Sequence, residues 1–451
     1  MRLKCISLVA VSLLLAGAAL ADKSDFKIGE DGSVEVKGQY YGDMLEFQLS
    51  EQFKRGGHRC ASQDLTALEE RILLAQPSDC SFSSTTIQSE YDPSNGDTYT
   101  IPVVFHIISR TNGTGNIANT LITSQVDILN EDFRALAGTP GGPGTDTKIQ
   151  FVLASTDPNG NATSGINRVT SNAYFTDPGP GAFNDMKQAL RWDTTRYLNI
   201  YTNDAAGNLG YATFPQQDAG SVNDGVVLLY SSVGRNSPGG GIYNQGRTAT
   251  HEVGHYLGLF HTFQSGCGSA SSPFTTGDLL ADTERQSAPN YNCPNASSCS
   301  SRDPIENYMN YTQDTCMDRF TGQQTNRMRC SLINYRSTLV GGTGGPGGGA
   351  PCTNCEQYSG NLTGTGDADA QPNGTWYFSA AGTHQGWLEG PGSADFDLEL
   401  YRWTGRWTRV AQSVSSTSSE QITYNGARGY YYWRVVSYSG SGSYDFYLDR
   451  P

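Results

Sequence analysis

Apolar and polar positions divide this chain into segments with different periods. Residues 99–109 (Y-T-I-P-V-V-F-H-I-I-S) are apolar and β-branched almost without a break. Such a run predicts a strand buried on both faces. His106 lies inside it and reads as a packed core histidine. Ile122, Val126, Leu129 and Phe133 recur at intervals of three and four, which predicts a helix over 121–136. Residues 149–154 and 197–201 read as further strands, and 208–215 (N-L-G-Y-A-T-F-P) should contain an exposed edge strand. Thr321, with Gln324 three positions on, forms a capping box that opens a helix running to about 339. From 352 to 451 the pattern changes to short alternating runs rich in Tyr, Trp, Ser and Gly, separated by turns. That pattern predicts a small all-β sandwich, with its aromatics chiefly in the strand core.

The segments outside these runs mark boundaries. Residues 1–21 carry a basic start (Arg2, Lys4), an apolar stretch from Ile6 to Ala16 and a small-x-small site at Ala19-Leu20-Ala21. They read as a signal peptide, too short to span a membrane comfortably. Residues 22–95 are mixed and polar, with a short helical stretch near Leu65 to Leu74, and read as a propeptide region. Residues 341–351 are glycine-rich and read as a flexible linker. The organisation expected is therefore signal peptide 1–21, propeptide 22–95, catalytic domain 96–340, linker 341–351 and sandwich 352–451. With 30 Lys and Arg against 44 Asp and Glu the net charge is −14. That balance argues against nucleic acid or an anionic membrane as partner. The expected product is a secreted, extracellular protein with no membrane span, and its cysteines suit an oxidising compartment.

The chemistry is concentrated in H-E-V-G-H-Y-L-G-L-F-H, residues 251–261, which holds three of the chain's six histidines. A helix puts His251 and His255 on one face, four residues apart. Gly258 allows the left-handed turn that ends the helix and brings His261 round as a third ligand. Three imidazoles and one open position make a catalytic rather than a structural zinc site. Glu252 stands where it can take a proton from an attacking water.

The eleven-residue motif resembles the metzincin zinc peptidases. Together with N-Y-M-N-Y at 307–311, the run G-R-T-A-T-H-E-V-G-H-Y-L-G-L-F-H-T-F resembles the pappalysin family, over roughly residues 99–339. The fold this implies is α+β: a metzincin catalytic domain, with a twisted mixed sheet and a zinc helix, ahead of the sandwich. The resemblance implies several residue roles. Met309 forms the apolar Met-turn under the zinc, and Tyr311 reaches the zinc or the developing oxyanion. Gly210, Tyr211 and Ala212 line the substrate as an edge strand. Cys60, in H-R-C-A, acts as a cysteine switch, although Ala61 stands where such motifs usually carry glycine. Asp314 forms the wall of a pocket that selects Arg or Lys just after the scissile bond. Cys267 pairs with Cys299 and Cys293 with Cys316, one of three pairings that four cysteines allow. Asp278, Asp282 and Thr283 bind a structural Ca2+, against the plain alternative of a solvated turn with capping aspartates.

The activity implied is a zinc-dependent endopeptidase acting on protein or peptide substrates. The alternative is a secreted binding protein that acts through its sandwich and keeps a vestigial zinc site. Segments D-F-D-L-E-L-Y (395–401) and G-Y-Y-Y-W-R-V (429–435) resemble the bacterial pre-peptidase C-terminal domain, which implies a unit that binds a surface or is trimmed off.

Overall fold

The computed structural model describes residues 26–29, 31–62, 91–94, 98–180, 184–340, 355–372, 374–391 and 394–451. The signal peptide, the helical stretch near 65–74, Cys80 and the whole glycine-rich linker fall outside these residues.

Strand β4 (Tyr99–Ser109) organises the central mixed sheet. It pairs in parallel with β5 (Ile149–Leu153) along its first half and β6 (Ile166–Thr170) along its second. On its other side it pairs in parallel with β7 (Leu198–Asn203), followed by β9 (Val226–Leu229). The last strand, β8 (Gly210–Ala212), is antiparallel to β9 and closes the mixed sheet. The expected strands are present. The pattern missed β6, which is too polar to read as a strand, and β9, which is only four residues long. The helix Asn119–Phe133 covers one face and buries Ile122, Val126, Leu129 and Phe133. The helix Gly322–Tyr335 has the expected capping box at Thr321 and Gln324. It ends earlier than the sequence suggested, in a 3-10 turn over Ser337–Val340.

His106 is fully buried in β4, with its Nε2 2.9 Å from Asn199 Oδ1. Burial pushes its pKa down to about 4. Between that value and the usual one near 6.5 the unfolded chain binds a proton the folded chain refuses. Stability therefore falls as pH drops through that window, by on the order of 3 kcal/mol from this group. Urea titrations at pH 7 and pH 4.5 should show this loss, and His106→Asn should shrink it.

The N-terminal segment has more structure than its composition suggested. Strands β1 (Phe26–Ile28), β2 (Val34–Val36) and β3 (Gln39–Tyr41) form an antiparallel sheet. Helices α1 (Met44–Leu49) and α2 (Glu51–Arg55) follow, capped by Asp43 and Ser50. Val34, Val36, Met44, Phe47 and Phe53 share one core with Tyr201, Leu209, Tyr211 and Tyr243 of the catalytic unit. Each such side chain stabilises the docked segment by roughly 1.5–3 kcal/mol. The short strands were illegible because each places only one or two apolar residues inward.

The C-terminal unit is the expected sandwich of antiparallel strands. One sheet orders β12 (Glu356–Leu362), β20 (Gly442–Asp449), β15 (Gly382–Glu389) and β18 (Ser419–Gly426). The other orders β13 (Ala368–Gln371), β19 (Gly429–Ser439), β16 (Asp395–Trp403) and β17 (Trp407–Ser413), with β14 (Tyr377–Ser379) also on β19. Alternation along β19 splits its aromatic run. Tyr431 and Trp433 are buried in the core, whereas Tyr432 stacks on Tyr401 at 4.8 Å on the outer face.

Candidate active site

The histidine motif lies on the helix Arg247–Tyr256, whose residues are all buried. Gly258 follows in the left-handed region at φ 92°, and a Cβ there would lie 2.5 Å from Ser331 Oγ. Glycine is therefore required for the reversal that carries His261 back. The three Nε2 atoms face one another at 3.0–3.3 Å. A tetrahedral ion with bonds of about 2.0–2.1 Å places its nitrogens about 3.3 Å apart, so the trio fits zinc. His251 Nδ1 donates to the Tyr308 carbonyl at 2.6 Å, and His255 Nδ1 to that of Leu259 at 2.7 Å. Carbonyls only accept, so both rings turn an Nε2 lone pair to the common point. Burial holds the His251 pKa well below its usual value, in the neutral form a metal needs.

Cys60 Sγ joins this group: one ligand atom from each of Cys60, His251, His255 and His261 lies within 4.8 Å of all the others. Among the described residues this is the one such metal-compatible group of three or more, and Cys60 is the one free thiol. Burial, reinforced by the Glu252 carboxylate, pushes the Cys60 thiol well up. Glu252 itself is fully buried, and burial raises its pKa to about 7. Its Oε2 accepts from Ser62 Oγ at 2.8 Å and lies 3.4 Å from Cys60 Sγ.

Below the trio, Met309 is fully buried, and a Cβ on Gly254 would lie 2.5 Å from Met309 Sδ. The floor therefore needs both the sulfur and the glycine. The Tyr311 ring packs against His251 and His261, and its hydroxyl points at the Cys60 carbonyl, 3.4 Å away.

Two expectations about the edge strand need correction. β8 is buried rather than exposed, because residues 58–62 lie along it. The Leu209 amide donates to the His58 carbonyl, and the Ala61 amide to the Gly210 carbonyl, both at 2.9 Å. Tyr211 turns its side chain away from the cleft and donates its hydroxyl to Asp177 at 2.7 Å. Its backbone stays on the rim. Gly210 is explained by Glu252, since a Cβ there would lie 2.9 Å from Glu252 Cγ.

Asp314 is buried at the start of the histidine helix. Its Oδ2 accepts the amides of Gln245 at 2.8 Å and Arg247 at 3.2 Å, while Oδ1 has no hydrogen-bond partner. Burial raises its pKa, and the nearby Arg59 guanidinium opposes that rise. Arg59 is fully buried, its Cζ 4.9 Å from the Tyr243 ring centroid, and none of its guanidinium nitrogens has a hydrogen-bond partner. The sequence reading missed Arg59, although it adjoins the singled-out thiol. It also missed Asp132, which accepts from Arg247 at 3.2 Å and Thr250 at 2.6 Å and anchors the histidine helix. No local pattern links residues 115 apart.

The two resemblance-based disulfides are formed, Cys267–Cys299 and Cys293–Cys316, with Cα separations of 5.5 and 5.8 Å. Cys330 and Cys355 are also disulfide-bonded. The residues expected to bind calcium make hydrogen bonds within the protein. Asp278 accepts from Thr283 Oγ1 at 2.7 Å, while Asp282 accepts from Thr321 Oγ1 and the Gln323 amide, both at 2.8 Å. Through these bonds the carboxylates hold a turn and cap a helix.

Residues 181–333 match the peptidase family described as pregnancy-associated plasma protein-A. An extracellular metalloprotease of Podospora anserina is 37% identical over 249 residues, which cover 52% of this chain and 74% of that protein. One of Colletotrichum graminicola is 34% identical over 297 residues, 63% of this chain and 92% of that protein. Among solved structures, mature Tannerella forsythia mirolysin in complex with a cleaved peptide is 36% identical. It covers 54% of this chain and 96% of its own length, with a TM-score of 0.45. A promirolysin mutant of the same organism is 32% identical, covering 66% and 94%, with a TM-score of 0.49.

Proposed function

The chain belongs to the pregnancy-associated plasma protein-A, or pappalysin, family of metzincin metalloendopeptidases, and from that premise we propose how its own residues perform and restrain the reaction. The reaction is hydrolysis of peptide bonds in proteins or peptides. His251, His255 and His261 would hold the zinc, which when bound polarises water and the scissile carbonyl. Glu252 takes the proton of the attacking water and passes it to the leaving amine. Tyr311 donates to the oxygen on which negative charge develops, as its hydroxyl is already directed at a backbone carbonyl. The rim strand pairs with the extended substrate through the backbone groups of Gly210 and Ala212. The observation that carries this reading is the convergence of three buried imidazoles beside a buried carboxylate. The test is digestion of a peptide library by purified, processed protein with and without chelator. Chelator-insensitive cleavage, or none, would overturn it.

In the described form the enzyme is latent. Cys60 fills the fourth position around the histidines, and its segment covers the rim. Asp314 selects a basic side chain just past the scissile bond. What supports this is Arg59, a guanidinium already buried near Asp314 and against Tyr243. Secretion completes the reading. The relatives are named extracellular, and no described helix is long and apolar enough to cross a membrane.

Processing has an expected site. The chain has ten cysteines; Cys5 leaves with the signal peptide, and Cys60 is a free thiol that leaves with the propeptide. Keeping Cys80 leaves an even set in an oxidising compartment, so the cut falls between Cys60 and Cys80. That window contains one basic residue, Arg71. N-terminal sequencing of the processed enzyme should therefore read from Arg71, after autolysis at Glu70–Arg71. A start beyond Cys80 would break the parity argument; a start elsewhere in the window would break only the autolysis.

A further inference from the structure

Cys60 reaches the histidines, yet a cysteine that ligates a metal does so as a thiolate and has no proton to give the Glu252 carboxylate 3.4 Å from its sulfur. Ser62 deals with that carboxylate. Its hydroxyl lies 2.8 Å from Glu252 Oε2 and 2.8 Å from the Ala212 amide nitrogen. A hydroxyl has one proton and two lone pairs. The amide can only donate, so the hydroxyl proton is committed to the carboxylate. The Ser62 amide in turn donates towards Cys60 Sγ at 3.3 Å. Ser62 is buried, so water cannot substitute for it easily. The rim amide of Leu209 is satisfied by a backbone carbonyl, that of His58, whereas at Ala212 a side-chain hydroxyl takes that place. A hydroxyl, unlike a carbonyl, can also give a proton to a second group there.

We propose that Ser62 is a second latch: its hydroxyl ties the carboxylate of Glu252 to the Ala212 amide of the rim, while Cys60 holds the metal position. The site thereby recognises a thiol followed two residues later by a hydroxyl, on a chain running parallel to β8. This rests on the reading of Glu252 as general base. It goes beyond a switch made by the cysteine alone.

The test uses the full-length chain and its variants Ser62→Ala, Ser62→Thr, Cys60→Ala and the Cys60→Ala/Ser62→Ala double variant. Initial hydrolysis of a short fluorogenic peptide is measured while mass spectrometry shows the chain uncut. Hydrogen bonds to charged groups are worth enough to predict an increase of about tenfold for Ser62→Ala over wild type, and again for the double variant over Cys60→Ala. Ser62→Thr retains the hydroxyl and should stay near wild type, which a merely steric role of Ser62 would not produce. Ser62→Ala indistinguishable from wild type, with the double variant equal to Cys60→Ala, overturns the proposal. A second measurement does not depend on activity. Calorimetric binding of the peptide Gly57–Ser62 to processed, zinc-loaded enzyme should weaken about tenfold when its serine is replaced by alanine. Equal binding overturns the latch. Absence of chelator-sensitive hydrolysis by the processed enzyme would instead overturn the reading of Glu252, and the two failures are separately visible.

Discussion

Glu252→Gln should leave zinc bound in full and abolish peptide hydrolysis. The substitution keeps the size of the side chain, so the Gly210 backbone still packs against it. It leaves the three imidazoles and their carbonyl partners untouched, since His251 is oriented by Tyr308 and His255 by Leu259. What it removes is a group able to take a proton. General-base losses run at about 10²–10⁴-fold, and here the same group must also return the proton to the leaving amine, so the upper end is expected. The measurement is metal content by mass spectrometry beside kcat on a peptide substrate, both on protein whose propeptide has been removed in trans by the wild-type enzyme. Full metal with undiminished kcat would remove Glu252 from the role of base. Loss of zinc along with activity would mean that the carboxylate supports the metal site instead.

The site was largely legible because its spacing is local. His251, Glu252 and His255 lie on one helical turn, and Gly258 announces the reversal to His261. The central strands were legible for a related reason: a strand buried on both faces must be apolar throughout, so Tyr99–Ser109 could be bounded to the residue. The elements that escaped are those whose stabilisation is borrowed. β1, β2 and β3 are three residues each and become stable only by burying Val34 and Val36 against the catalytic unit. The supports of the histidine helix escaped for the same reason. Asp132 and Asp314 approach it from 115 and 67 residues away, and nothing in either local stretch reveals the partner. The aspartates at 278 and 282 are ambiguous in sequence for another reason: acidic density in a loop suits a cation and a helix cap alike.

Asp314→Asn should remove selectivity for a basic side chain without unfolding the site. On the proposed reading Asp314 has two separate tasks, divided between its two oxygens. Oδ2 accepts the amides of Gln245 and Arg247 and thereby caps the histidine helix, a place where negative charge is favoured. Oδ1 is buried without a hydrogen-bond partner, and the Arg59 guanidinium acts on this carboxylate electrostatically. An asparagine can keep its carbonyl oxygen on the two amides, whereas alanine would lose both tasks at once. The charge is gone in either case. Removing one partner of a buried pair costs about 3–5 kcal/mol, so kcat/KM for substrates with arginine just past the scissile bond should fall about 10²–10³-fold. Substrates with an uncharged residue there should change little, and the melting temperature of Asp314→Asn should stay closer to wild type than that of Asp314→Ala. Cleavage-site profiling of processed wild type and the asparagine variant gives the decision. A wild-type profile with no basic preference, or an asparagine variant that keeps one, would assign Asp314 to the helix cap alone.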